Sequence, residues 1–316
     1  MEIYETESEI AKRKSWLLSL VVTVLVSIGV LIVLQVIALA VAPMLFNISM
    51  EEIMGLMLGD YSHPNGRMAM YFIQGIGSGI GFWVAAYVIM YFIDKADLHW
   101  EIQLPRFNPA GAGLVLLIAL GGMLFNGILV YWNSQLVLPE FMSGMESWMQ
   151  EMETQLMEMT KFLTDFQTVP ELLMGVLVIG ILAGIGEEMF FRGLIQPKMH
   201  LYTGNAHLGI WLTAFIFSAI HIQFYGFLPR LFLGGMFGYL YYYSGSLTYP
   251  IFAHIINNTV TVLMVYASNE GMIDFDMEST DTVSYPAAMI GLLVLLAGIF
   301  YFKKINKPNG ELEQGV

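Results

Sequence analysis

Three observations predict an all-α, polytopic membrane protein of about eight transmembrane helices with an amphipathic helix on its outer face. The 316 residues are 57% hydrophobic and only 12% charged, with a mean hydropathy of +0.65; soluble domains carry roughly 25% charged and 45–50% apolar residues. Apolar runs of the roughly 20 residues that cross a hydrocarbon core recur along the chain. Lys and Arg gather in one set of connections, Asp and Glu in the other.

The spans are expected near 15–46, 67–93, 111–133, 171–199, 206–225, 227–244, 246–267 and 284–302. The first far exceeds the roughly 7–15-residue core of a signal peptide, so it is expected to stay in the mature protein despite Ala-Leu-Ala at 38–40. Several runs are longer than a bilayer needs, which implies tilt or protruding ends. No repeat, low-complexity linker or separate soluble domain is visible, so 1–316 is read as a single integral membrane domain. The absence of cysteine excludes disulfides, thiolate metal sites and a cysteine nucleophile.

Orientation follows from the cations. Lys12, Arg13 and Lys14 precede the first span, and Lys303, Lys304 and Lys307 follow the last. With eight crossings both termini lie on one side, which the positive-inside rule makes cytoplasmic. Lys95, Arg106 and Lys198 then fall inside too. The outer connections carry Glu51, Glu52 and Asp60, the acidic 134–170 segment, and Glu270, Asp274, Asp276, Glu278 and Asp281. Arg67 and Lys161 are the outer cations. This pattern is that of a multi-pass cell-membrane protein, with a prokaryotic source expected.

Some features read as structural. Gly75, Gly77, Gly79 and Gly81 on the second span, and Gly234 and Gly238 on the sixth, are small-residue spacings that let helices approach closely. Tyr239, Tyr241, Tyr242 and Tyr243 suggest an interfacial aromatic belt. Across 139–166, Phe141, Met145, Trp148, Met152, Leu156, Met159 and Leu163 recur every three or four residues, with Glu146, Glu151, Glu153 and Glu158 between them. That is an amphipathic helix lying in the interface, covering the bundle or gating it.

Ionisable groups inside spans cost roughly 2.5–3.5 kcal/mol each on insertion scales, so each is a functional candidate. They are Glu187, Glu188 and Arg192 on the fourth span, His221 on the fifth, and His254 with Asn257 and Asn258 on the seventh. Arg230 lies near an outer end, where it can snorkel. Glu188 and Arg192 are four apart on one face and can pair; Glu187, rotated by about 100°, cannot share that partner. His254 and Asn258 also share a face. At about 1.5 Å per residue, Glu187, His221, His254 and Asn258 all fall near the bilayer middle.

A carboxylate, two imidazoles and an amide at one depth can activate water and hold an oxyanion, ligate a metal, or conduct protons or cations. Each histidine alone could also be no more than a helix–helix hydrogen bond. Hydrolysis fits the set best: Glu187 with His221 can deprotonate water, and His254 with Asn258 can donate to a developing oxyanion. Zinc is the less favoured alternative, since two His and one Glu could bind it but no HExxH is present and Asn is a poor ligand.

EEMFFR at 187–192, FSAIH at 217–221 and HIINN at 254–258 resemble, in this order, the EExxxR, FxxxH and HxxxN motifs of the CPBP family, the CAAX proteases and bacteriocin-processing enzymes. The resemblance covers a catalytic core at about 170–265. It implies an intramembrane endopeptidase of the glutamate type, without a metal cofactor, although the family was long described as metalloproteases. It assigns Glu187 and His221 to water activation, His254 and Asn258 to the oxyanion site, and Glu188 and Arg192 to structural support. The partners it implies are the lipid bilayer and a peptide or membrane-protein substrate, with no nucleic acid. A transporter or ion conductor, and a non-catalytic immunity or binding protein, are the rival classes. Transport calls for a continuous polar path, whereas binding alone needs no base.

Overall fold

The computed structural model describes residues 6, 8–96, 100–274 and 284–306. Of the charges used to orient the chain, Lys307, Asp276, Glu278 and Asp281 lie outside these residues. Among the described residues there is no β-strand, only an isolated bridge between Thr6 and Ala96.

Six helices are long and apolar enough to cross a membrane: α1 (Arg13–Phe46), α2 (Gly66–Asp94), α3 (Pro109–Ser134), α5 (Val169–Thr203), α8 (Thr248–Asn269) and α9 (Tyr285–Ile305). Between them lie the expected amphipathic helix, α4 (Ser143–Thr164), and two helices, α6 (Ala206–Ala219) and α7 (Phe227–Ser244). The expected count of eight spans is therefore not confirmed: six helices qualify, and the other two expected spans are this shorter pair. At 14 residues, α6 is about 21 Å long, short of a hydrocarbon core of about 30 Å. It is also shorter than the expected 206–225, because the chain turns at Ile220 and His221, and Ile222 adopts a left-handed φ of 53°. The α6–α7 hairpin is antiparallel: Gly238 packs on Ile210 and Gly234 on Ala214. A hairpin returns the chain to its starting side, so the parity that places both termini together is the same for six or eight crossings.

The lipid-facing character is visible in which residues are hidden. Helix α1 buries Ser19, Thr23, Ser27, Ala38 and Ala42 while exposing Leu18, Leu25, Ile32 and Val36. Helix α9 likewise buries Ala288, Gly291 and Gly298 and exposes Ile290, Leu293 and Phe300. In water this inside-out distribution would be unstable; in lipid, small residues at the contacts let backbones approach and large ones meet the acyl chains.

Local signals set the helix ends. Asn108, Thr168, Asn205 and Ser284 each accept a backbone N–H three residues on, capping α3, α5, α6 and α9. Gly204 and Gly245, at φ of 69° and 61°, end α5 and α7.

Two charged residues sit differently from their sequence reading. Lys198 is not an interfacial cation: it is fully buried, 2.8 Å from Asp94, and donates to Ser19 and Thr23 of α1. Arg67 is buried too, pairing with Glu171 at 2.6 Å and donating to Phe162 O, which ties α2 to α5 and to the end of α4. Within the tyrosine group, Tyr241 is core rather than belt.

Candidate active site

The site begins with how closely α5 meets its neighbours. A Cβ at Gly184 would lie 2.9 Å from Ile255 of α8, and one at Gly186 would collide with the Gly79 carbonyl of α2. Only glycine lets both helices approach the turn that carries the glutamates. That turn is flanked by wider, π-helical stretches, Val176–Leu182 and Phe191–Ile195, a form often found beside functional residues because it redirects side chains and frees carbonyls. One such carbonyl, of Ile179, accepts the Asn258 side-chain amide at 3.0 Å.

Glu188 and Arg192 are fully buried. Arg192 donates to Glu188 Oε1 at 2.7 Å, as the i,i+4 spacing predicts, and also to Gly234 O of α7 at 2.8 Å. Its guanidinium lies 5.0 Å from the ring centre of Phe217 and 5.4 Å from that of Phe237. The expected pair is thus part of a clamp joining α5, α6 and α7.

Glu188 has a second partner that spacing could not reveal. His254 Nδ1 lies 2.8 Å from the same Oε1, and the imidazole stacks on Phe237 at 4.9 Å. With Glu188 ionised against Arg192, Nδ1 carries the proton, and Nε2 is left facing Glu187 Oε2 at 3.9 Å. That gap is too long for a hydrogen bond and suits a bridging group. Glu187 is the less enclosed carboxylate, with 15% of its side chain accessible. Its Oε2 has no protein hydrogen-bond partner.

His221 sits on the turn after α6, not on the helix itself. Its Nδ1 lies 2.7 Å from Phe217 O, so Nδ1 donates and the Nε2 lone pair is free to accept. Glu187, Arg230 and His254 all act electrostatically on it. Asn258 Oδ1 accepts from Asn257 at 3.1 Å. Glu187 of α5 and His254 of α8 thus face each other, with His221 of the α6–α7 turn in electrostatic reach of both, and Asn258 lies one turn along α8 from His254.

The outer helix closes this end. Trp148 packs edge-on against Phe224 at 5.5 Å, and Glu153 Oε1 is 3.5 Å from Gln223 Nε2. Burial pushes the Glu153 carboxyl up from its ordinary range, opposed by the charge of Arg230 and a hydrogen bond from the Tyr225 backbone. Arg230 is half-buried rather than snorkelling and donates to the side chain and backbone oxygens of Gln223. Sequence reasoning gave Gly234 a packing role and Glu153 a place on the amphipathic helix, without connecting either to the site, and passed over Gln223. Among the described residues no cluster of three or more His, Asp or Glu side chains suited to a metal ion is found.

Residues 169–260 match the family model described as type II CAAX prenyl endopeptidase Rce1-like. That segment is thus similar to the CAAX endopeptidases, in line with the resemblance carried by the three motifs. The matched stretch runs from the start of α5 into α8 and contains all four expected site residues and both supporting ones. A Bacillus subtilis (strain 168) relative, described as uncharacterized protein YpbD, is 28% identical over 89 residues, covering 27% of this chain and 42% of its own. An Escherichia coli relative, described as an uncharacterized 24.3 kDa protein, is 32% identical over 109 residues, covering 33% of this chain and 50% of its own. The chain thus spans about half the length, or less, of these curated relatives. No solved structure matches it. The match covers α5 to the middle of α8, and the helices before and after it lie outside the matched stretch.

Proposed function

We propose that this multi-pass membrane protein is a metal-free intramembrane endopeptidase in which Glu187 is the general base. The observation that carries this reading is the unequal environment of two adjacent glutamates. Glu188 holds both Arg192 and His254 through Oε1 while its Oε2 is unpaired, whereas among the described residues Glu187 Oε2 has no hydrogen-bond partner and faces His254 Nε2 across 3.9 Å.

In this reading Glu187, helped by His221 Nε2, takes a proton from water as its oxygen bonds to the scissile carbonyl carbon. Negative charge moves onto the carbonyl oxygen, where an imidazole N–H of His254 and the Asn258 amide donate hydrogen bonds. The proton held by Glu187 passes to the amide nitrogen, the C–N bond breaks, and a carboxylate and an amine leave. The substrate is a peptide segment in or at the bilayer, which must present extended backbone because a helical amide is already hydrogen-bonded. We further propose a prokaryotic cell-membrane location with both termini cytoplasmic.

Purified protein and a fluorogenic membrane peptide test this. Wild type should cleave in the presence of strong chelators. Glu187→Gln should fold and bind peptide yet not turn over, and Asn258→Ala should slow turnover by about 10²–10³. Cleavage by Glu187→Gln would sink the glutamate mechanism. Loss of activity to chelator, restored by zinc, would make the same residues a metal site.

A further inference from the structure

Arg230 is the one charged side chain beside the expected site residues that the proposed mechanism leaves idle. It lies in the first turn of α7, half-buried, with Glu153 of the outer helix and Glu187 both acting on its charge. Its hydrogen bonds run to neutral oxygens of a single residue, Gln223. The guanidinium rests on Gly226, where a Cβ would collide with Nη1. A buried cation ordinarily takes a carboxylate as partner, as Arg192 and Arg67 do here with Glu188 and Glu171. Arg230 makes no such hydrogen bond.

We propose that Arg230 is a substrate-binding residue that receives a carboxylate close to the scissile peptide bond. This rests on the endopeptidase reading. The planar guanidinium matches a carboxylate with two parallel hydrogen bonds, a stronger and more directional contact than the Gln223 amide oxygen gives. Exchange is made easy by the weakness of what it displaces: Gln223 is tied to the outer helix only through Glu153 at 3.5 Å, the limit of a hydrogen bond. A carboxylate arriving from the outer side passes beneath Trp148 and Phe224 and pairs with Arg230, which puts the preceding amide within reach of Glu187. The ligand's carboxylate could be the chain terminus of the substrate or the side chain of an internal Asp or Glu.

The experiment uses full-length protein in detergent with one quenched-fluorescent apolar peptide in three forms: a free C-terminal acid, a C-terminal amide, and the amide with one internal glutamate. Both KM and binding, by anisotropy, are measured. Wild type should favour a carboxylate-bearing form over the plain amide by about tenfold or more, as charged hydrogen bonds do. The preferred form, acid or internal glutamate, names the source of the carboxylate. Arg230→Gln should abolish that preference by raising KM for the favoured peptide while leaving kcat within a few-fold, and Arg230→Lys should restore part of it. A merely structural arginine would lower folded yield or kcat for all three peptides alike. Cleavage of all three with equal KM by wild type would overturn the carboxylate site and leave the endopeptidase reading standing. No cleavage and no binding of any form would overturn both.

Discussion

The strongest structural expectation concerns Arg192. Truncation to Ala removes the 2.7 Å bond to Glu188, the 2.8 Å bond to Gly234 O and the contacts with the Phe217 and Phe237 rings. Glu188, fully buried, is left with His254 alone. Removing one member of a buried pair costs about 3–5 kcal/mol, because the remaining charge stays out of water. At about 2 °C per kcal/mol for a long chain, that is a fall of about 6–10 °C in Tm. Removing both charges should be far milder. In the Glu188→Gln/Arg192→Met double variant, the Gln oxygen still accepts from His254 Nδ1 and the Met side chain fills space among the rings, so at least half the loss should return. Thermal unfolding of the four proteins of this cycle, in one detergent, gives the coupling directly. A Tm for Arg192→Ala within 2 °C of wild type, with turnover nonetheless reduced a hundredfold, would refute the reasoning and make Arg192 a substrate-binding residue.

Two further expectations concern the frame around the site. Lys198→Met strips Asp94 of its lysine and loosens α1, so it should cost about 3 kcal/mol or more; Asp94→Asn/Lys198→Met should recover most of that, with turnover per folded molecule unchanged, and an equal loss in the double variant would argue against a coupled pair. Because the chain has no cysteine, single-cysteine labelling in intact cells reads topology cleanly: Ile10→Cys and Lys304→Cys should resist an impermeant maleimide while Glu151→Cys reacts, and labelling at either terminal position would remove the proposed orientation.

Much of this architecture was legible because lipid simplifies the code. Long apolar runs had to be helices, since an unpaired backbone has no water to satisfy it, and the Glu188–Arg192 pair followed from helical spacing alone. What failed was what spacing cannot carry. The 14-residue α6 and the turn after it were read as one longer span because Ile220 and Ile222 are as apolar as the helix they end, so His221 was placed on a helix. Lys198 was assigned to the interface by the side its charge should favour; its actual partner, Asp94, lies 104 residues earlier in sequence. The His254–Glu188 bond spans 66 residues, and no local pattern announces it. Within the site, residue types were readable and residue pairings were not.

Those pairings explain why two consecutive glutamates can have separate work. One turn step of about 100° sends Glu188 inward to Arg192 and His254, and leaves Glu187 toward the outer turn. A carboxylate is expensive to hold in a membrane unless a cation balances it. Arg192 balances Glu188, with its other hydrogen bond going to Gly234 O. The cation left for Glu187 is Arg230, which acts on it without hydrogen-bonding it. Glu187 Oε2 is thereby left open, which is what the proposed base requires to hold a water. A direct Arg230–Glu187 hydrogen bond would have stabilised the charge and disabled the base. Arg230 instead donates to the side-chain and backbone oxygens of Gln223.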